Sequence, residues 1–140
     1  MDNVGIIVDD LNAAIAFFKE LGMQIQGEAT VEGQSVDRVV GLEDVRSDIV
    51  MIRTPDGHGR IELSRFQKPK AISNEPSPVN TLGSHRIMFA VTDIDEMVAR
   101  LQKHGATLIG EVIQYEDLYR LCYLRCPEGI IVALAEELSK

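Results

Sequence analysis

Two side chains of opposite charge, Glu62 and Arg86, are the residues of this chain best suited to chemistry on a small molecule. A carboxylate can act as a general base towards a proton next to a carbonyl group, and a guanidinium can hold an anionic group such as a carboxylate. Both lie in segments of strand-like alternation, with Ile61 and Leu63 on either side of Glu62 and Ile87 after Arg86. Three interpretations stay open: a catalytic pair, a structural ion pair in which each charge only satisfies the other, and a geometry in which the two side chains are not paired.

All three tyrosines fall within residues 114–125, whose alternation predicts a β-hairpin. Tyr119 and Tyr123 are four residues apart and therefore share one face of a strand, where they could form an aromatic wall with two hydroxyl groups. Tyr115 and Met88 could add further lining for a ligand, although packing in the protein core is the alternative for all of these side chains.

Other catalytic classes find little support in the sequence. Ser84 and His85 are neighbours that would point to opposite faces of a strand, so they do not suggest a nucleophile with its base. No glycine-rich segment leads from a strand into a helix, as a phosphate-binding loop requires. Cys122 and Cys126 lie four residues apart on a predicted strand, too far apart for a disulfide. We therefore expect no nucleotide cofactor and two reduced, structural thiols.

The elements that position these residues occur twice along the chain. An alternating strand, an aspartate N-cap, an amphipathic helix and a closing glycine occupy residues 4–22 and recur at residues 87–105. At this constant offset the identical pairs are Val8/Val91, Asp10/Asp93, Ala16/Ala99, Gly22/Gly105, Gly27/Gly110 and Glu28/Glu111. Such agreement exceeds what composition alone would give, and it predicts an internal duplication.

The second halves of the two copies correspond as well. A Pro/Gly turn at residues 53–57 is echoed at residues 125–129, and Ile61-Glu62-Leu63 aligns with Val132-Ala133-Leu134. The sequence therefore predicts a single α+β domain over residues 1–140, made of two tandem βαβββ modules that form a half-barrel cleft. Module one is predicted at 1–66, a proline-containing connector at 67–82 and module two at 83–140. Strand parity puts four residues on the concave face: Asn3, Glu62, Arg86 and Ala133.

Composition limits the classes of partner. The chain has 140 residues, and its formal net charge of -8 at pH 7 disfavours binding to a phosphate backbone. No apolar stretch approaches the roughly 20 residues needed to span a bilayer. Asp2, Asp9 and Asp10 stand where a secretory signal would carry positive charge. We therefore expect a cytoplasmic protein that binds neither nucleic acid nor membrane.

The duplicated pattern resembles the vicinal oxygen chelate superfamily, which includes glyoxalases, bleomycin-resistance proteins, fosfomycin-resistance enzymes and extradiol dioxygenases. The resemblance is carried by DNVGIIVDDL at residues 2–11, GRIEL at 59–63, RIMFAVTDID at 86–95 and PEGII at 127–131. It implies a glyoxalase-like fold, a homodimer and a cleft for a small molecule. Similarity to phosphonate-binding members further implies that Tyr123 faces this cleft. One scaffold hosts many reactions, so the resemblance indicates the fold more than the reaction.

In metal-using members of this superfamily, a histidine opens the first strand of each module and a glutamate or similar donor lies in the last strand. The matching positions here are Asn3, Glu62, Arg86 and Ala133. Glu62 is a good ligand for a divalent ion, whereas Asn3 offers only a neutral amide oxygen. Arg86 would repel a metal and Ala133 has no donor atom. We therefore expect no firm cofactor. A divalent metal would need Glu62 with Asn3 and His85, and a register shift to bring His85 into the cleft.

These observations predict a glyoxalase-like enzyme, a lyase or isomerase that acts on a small carbonyl or carboxylate compound. Glu62 would be the base and Arg86 would hold the anionic group. The expected substrate-binding residues are Asn3, Met88, Tyr115, Tyr119 and Tyr123. The alternative is a non-catalytic protein that binds or sequesters a partly apolar small molecule, as bleomycin-resistance proteins do.

Overall fold

The computed structural model describes residues 1–73 and 75–138, and the chain forms two compact units, Met1–Ser73 and Asn74–Lys140. Each unit is a mixed β-sheet with an α-helix packed on one face, as the predicted α+β class requires. The boundary between the units falls inside the predicted connector at 67–82. No helix in the described parts of the chain is long and apolar enough to cross a membrane.

The first unit contains six elements in chain order. They are β1 (Val4–Ile7), α1 (Leu11–Glu20), β2 (Gln24–Glu32), α2 (Gln34–Val40), β3 (Arg46–Arg53) and β4 (Arg60–Lys68). The sheet order is β1-β4-β3-β2, in which β1 runs parallel to β4 and the other neighbours are antiparallel. Strand β4 thus continues two residues past the predicted end of module one. The short helix α2 was not predicted.

Helix α1 begins where the sequence predicts it, because the Asp10 side chain accepts a hydrogen bond from the Ala13 backbone N–H at 3.0 Å. It ends at Glu20, and Gly22, two residues further on, has a φ of +94°, in the left-handed region that glycine adopts without strain. The helix buries Phe17 and Phe18, whose rings meet edge to face with centroids 5.2 Å apart. These rings form the core of the unit together with alternate strand residues: Val8, Val50, Ile52, Ile61 and Leu63.

The second unit repeats this plan with a more divided sheet. Its elements are β5 (Arg86–Val91), α3 (Ile94–Gln102), β6 (Thr107–Leu108), β7 (Ile113–Tyr115), β8 (Tyr119–Arg125), a 3-10 turn (Pro127–Gly129) and β9 (Ile131–Glu137). The sheet order is β5-β9-β8-β6, with β7 also paired to β8. The antiparallel pairing of β7 with β8 confirms the hairpin predicted for residues 114–125. Helix α3 buries Ile94, Val98 and Leu101.

The strand registers confirm the predicted duplication. Val4 lies opposite Ile61 in the parallel pair of β1 and β4, and Ile87 lies opposite Val132 in the parallel pair of β5 and β9. These are equivalent positions in the two aligned copies. The helix caps repeat as well, because Asp93 accepts a hydrogen bond from the Glu96 backbone N–H at 3.1 Å. The alignment of Glu62 with Ala133 therefore rests on strand pairing as well as on sequence.

Candidate functional site

In the first unit, Glu62 lies on the sheet face opposite α1. Strand pairing places it in a row that crosses the sheet, with Gly5 on one side and Met51 on the other. On β1 the neighbouring residues alternate as predicted. Val8 is buried, whereas Ile7 is 53% exposed on the face that carries Glu62. The predicted parity of β1 and β4 is therefore confirmed within this unit.

The Glu62 carboxylate is half-buried and has an open side. Its recorded partner is a neutral one, the Ser64 hydroxyl, which donates to Glu62 Oε1 at 3.3 Å. Within the described residues of the first unit, Glu62 makes no ion pair. A Cβ placed on Gly5, the neighbour of Glu62 in the row, would meet no heavy atom within 4 Å. A small molecule could therefore approach this carboxylate from above Gly5.

Asn3 lies just before β1 and is tied to its neighbour. Its amide Nδ2 donates to Asp2 Oδ2 at 2.7 Å, and Asp2 Oδ1 pairs with the Arg60 guanidinium at 2.5 Å. The hydrogen bond from Asn3, followed by the contact with Arg60, holds the pKa of Asp2 below its usual value. Asp2 is thus shared by Asn3 and Arg60, which ties the segment before β1 to β4. A role for Asn3 in substrate binding stays a prediction.

In the second unit, the sheet face opposite α3 combines aromatic, thioether and cationic groups. Tyr123 lies opposite Ala133, which in turn lies opposite Met88, and Tyr115 lies opposite Tyr119. Alternation along β5 and β8 adds Arg86 to the same face. The structure therefore confirms that Tyr119 and Tyr123 share a face. It places five predicted site residues of this unit on that face: Arg86, Met88, Tyr115, Tyr119 and Tyr123.

Arg86 is exposed, and its guanidinium lies over an aromatic ring. The guanidinium carbon is 4.9 Å from the centroid of the Tyr123 ring, the distance of a cation–π contact. Within the described residues of the second unit, Arg86 makes no hydrogen bond or ion pair. Its position is therefore restrained while its N–H groups stay available. The pairing of Glu62 with Arg86 that the sequence suggests stays a prediction.

A second guanidinium on this face, Arg125, was not singled out by sequence reasoning. It lies opposite Ile131, which lies opposite Arg86, so one row of the sheet carries two cations. Arg125 donates to the carbonyl oxygen of Ser77 at 2.6 Å and to that of Gly129 at 3.5 Å. These neutral acceptors leave its charge in place. The signal available in the sequence was the alternation of Arg125 with Leu124 and Tyr123.

His85 is exposed and comes immediately before β5. The pairing of β5 with β9 runs from Arg86 to Val91 without a register shift. No bulge in this pairing therefore turns His85 onto the face of Arg86, and its part in a metal site has no support from the strand geometry.

The donor groups do not fit the divalent metal that the superfamily resemblance implies. Asn3 offers only a neutral amide oxygen, Arg86 carries a positive charge, and Ala133 has no donor atom. The described residues contain no group of three or more His, Cys, Asp or Glu side chains that could hold a metal ion. A single carboxylate, Glu62, makes a weak site for a divalent ion.

Sequence and structure comparisons agree on one family. The sequence model described as "Glyoxalase/Bleomycin resistance protein/Dioxygenase superfamily" matches residues 2–123. The crystal structure of a glyoxalase family protein from Bacillus cereus is similar at 57% identity and a TM-score of 0.94, covering 99% of this chain and 94% of that one.

More distant structures share the fold. The trypanothione-dependent glyoxalase I of Leishmania major aligns at 20% identity and a TM-score of 0.66, over 98% of this chain and 86% of that one. A genomically encoded fosfomycin resistance protein from Listeria monocytogenes aligns at 15% identity and a TM-score of 0.61, over 100% and 93%. No curated protein matches the sequence significantly.

Proposed function

Because the chain belongs to the glyoxalase/bleomycin resistance protein/dioxygenase superfamily, we propose that it is a small-molecule enzyme, a lyase or isomerase acting on a small carbonyl or carboxylate compound. The observation that carries the proposal is the state of Glu62, a half-buried carboxylate bonded to a neutral hydroxyl and open on the side of Gly5. A base that must take a proton from carbon needs such access, and a tight ion pair would lower its basicity.

The proposed reaction begins with removal of a proton from the carbon next to a carbonyl group. The C–H bond breaks, the proton passes to the Glu62 carboxylate, and the electron pair moves onto the carbonyl oxygen to give an enolate. In an α-hydroxy carbonyl compound, the hydroxyl proton moves to the former carbonyl oxygen and Glu62 returns its proton to the former carbonyl carbon. The hydroxyl oxygen becomes the new carbonyl, which completes an isomerisation. In a compound with a leaving group on the next carbon, the enolate electron pair forms a carbon–carbon double bond, re-forms the carbonyl and expels that group, which completes an elimination. The prediction from the sequence assigns the anionic group of the substrate to Arg86, and the proposed steps require no metal.

Deuterium exchange tests this step before the natural substrate is known. We expect the protein in D₂O to accelerate exchange of the C–H protons next to the carbonyl in at least one of pyruvate, 2-oxobutyrate and 2-oxoglutarate, followed by proton NMR. Glu62→Gln should slow the exchange about 10²–10⁴-fold, the usual contribution of a positioned base, with an unchanged circular dichroism spectrum. Glu43→Gln makes the same change at an exposed carboxylate of the first unit and is the matched control, which should retain the rate. Equal rates in wild type and Glu62→Gln would overturn the proposal.

A second candidate function is non-catalytic binding of a partly apolar molecule. It is favoured by the exposure of apolar and aromatic groups on the β5-β9-β8 face, where Met88 is 55%, Tyr115 54% and Tyr119 42% exposed. Saturable binding without exchange or product, weakened by Tyr115→Ala or Tyr123→Ala, would favour this candidate.

The proposal includes a homodimer in the cytoplasm. Cys122 and Cys126 are both buried and unpaired, as expected for a reducing compartment. Burial raises the pKa of the Cys126 thiol to about 12, so this group is not suited to act as a nucleophile. Light scattering should give twice the 15.5 kDa mass of the chain, and a monomer mass would contradict this part of the proposal.

A further inference from the structure

We propose that the second unit carries an anion site in which Arg86, held over Tyr123 across the small residue Ala133, takes the carboxylate of a small aromatic acid. The inference deepens the proposed function, on which it rests for the identity of the ligand as a substrate.

The N–H groups of Arg86 are placed to bind a carboxylate. A guanidinium presents its N–H groups in the plane of the group, whereas a cation–π contact uses the face. The guanidinium carbon lies 4.9 Å from the centroid of the Tyr123 ring, and Arg86 makes no hydrogen bond or ion pair within the described residues of the second unit, so its position is restrained while N–H groups remain open to a ligand. A carboxylate can then accept two parallel hydrogen bonds from a guanidinium that is already oriented, which lowers the entropy cost of binding.

Ala133 lies beneath the path of the Arg86 side chain. Strand β9 lies between β5 and β8, so the Arg86 side chain must cross β9 to reach Tyr123. The residue of β9 in the row of Tyr123 is Ala133, which is fully buried. A carboxylate side chain at this position would compete for the same space and would pair with the guanidinium. The small, uncharged side chain of Ala133 therefore leaves room for the Arg86 side chain and does not neutralise its charge.

Apolar groups beside Arg86 indicate what the rest of the ligand contacts. Tyr119 precedes Tyr123 by roughly 13 Å along β8, and Tyr115 lies opposite Tyr119, so these two rings would contact only a longer ligand. Met88 borders the same path and is 55% exposed. A ring attached directly to a carboxylate on Arg86 would lie against Tyr123 and Met88, the aromatic and thioether groups of the neighbouring row, and bury apolar surface.

The net charge of the chain disfavours non-specific binding of anions. With a formal net charge of -8, the protein as a whole repels anions. The row of Arg86 and Arg125 is a local exception on this face. Saturable binding of an organic anion would therefore reflect a specific arrangement of cations.

Titration calorimetry on the full chain tests the site with benzoate as the probe, acetate as the acid without a ring and benzamide as the ring without charge. We expect saturable binding of benzoate, and affinities for acetate and benzamide at least about tenfold lower, because each lacks one of the two interactions. Arg86→Lys keeps the charge but loses the planar fork and should weaken benzoate binding about tenfold. This exposed substitution does not threaten the fold.

The variants at Ala133 give the sharper test. Ala133→Glu should abolish benzoate binding because the new carboxylate occupies Arg86, whereas Ala133→Ser, which is nearly the same size and uncharged, should retain it. Tyr123→Leu should weaken binding because Arg86 loses its support. Unchanged benzoate affinity in Arg86→Lys, or equal affinities for all three probes, would overturn the site.

The outcomes separate this site from the proposed function. Benzoate binding that survives in Glu62→Gln, with deuterium exchange absent from every protein, would keep the anion site and reject the enzyme. Deuterium exchange that is unaffected by Arg86→Lys, together with no benzoate binding, would keep the enzyme and reject the anion site.

Discussion

Small residues beside the two charged groups determine what those groups can reach. Gly5 lies next to Glu62 in the sheet and leaves the space above it empty. Ala133 lies between Met88 and Tyr123, and its small side chain leaves room for Arg86 to cross β9. In both cases a larger side chain would cover or neutralise the charge. The chemistry of these faces therefore depends on absent side chains as much as on the charged groups themselves.

Gly5→Val should separate access to Glu62 from stability. Gly5 lies in β1 without a positive φ, so valine, which favours strands, can adopt its backbone conformation. We expect the free energy of unfolding to rise by about 0.5–1 kcal/mol, because glycine weakens strands. The rate of deuterium exchange should fall at least about tenfold, because the new side chain covers the carboxylate. Urea denaturation and proton NMR measure the two quantities.

Gly27→Val is the matched control for this prediction. Gly27 lies on the same face in the same row, but Met51 separates it from Glu62, and a Cβ there also meets nothing within 4 Å. It should keep the exchange rate of the wild type. If the two valine variants lose activity equally, the space above Gly5 has no special role.

At the scale of elements, a polar network ties three strands of the first unit together. Asp48 on β3 accepts hydrogen bonds from the Thr30 hydroxyl on β2 at 2.8 Å and from the Gln67 amide on β4 at 2.9 Å. Arg65, also on β4, lies 3.6 Å from the same carboxylate. The hydrogen bond from Gln67, followed by that from Thr30, lowers the pKa of Asp48. The ionised form of Asp48 therefore favours the paired strands.

This network predicts a pH dependence of stability. A carboxylate whose pKa is lowered by folding contributes stability that is fully present above its unfolded value, here 3.8, and is lost as the pH falls through the lower folded value. Asp48→Asn should therefore be less stable than the wild type at about pH 6, and the difference should shrink at about pH 3. Urea unfolding at both pH values measures it. A constant difference would show that the charge of Asp48 is not the cause.

Some elements could be predicted from the sequence because their residues carry local signals. The capping aspartates Asp10 and Asp93 mark both long helices, and alternation on β1 and β5 fixes which side chains face the helix. Helix α2 carries no such signal, since its seven residues bury no side chain and it begins without a side-chain cap. It is held by a tertiary contact, in which Asp37 Oδ1 accepts from the Val45 backbone N–H at 2.8 Å.

At the scale of the whole molecule, the duplication is what made the fold predictable. Two weak patterns that agree at a constant offset constrain each other, and the equal registers of β1 with β4 and β5 with β9 are the result. The contact of Arg86 with Tyr123 could not be predicted in this way, because it depends on a side-chain conformation that crosses an intervening strand. The same holds for Arg120, which pairs with Asp95 of α3 at 2.7 Å.

The duplication also leads to the last prediction, on metal content. It aligns Asn3 with Arg86 and Glu62 with Ala133, so a chain that kept the metal donors of both copies would have four of them, and this one has a single carboxylate. Elemental analysis of protein purified without chelator or affinity-tag metal should give well below one divalent ion per chain. Glu62→Gln should not change the value, because weak binding to a surface of net charge -8 does not depend on one residue. Near-stoichiometric metal that disappears in Glu62→Gln would instead make Glu62 a metal ligand, and His85 would be the next residue to substitute.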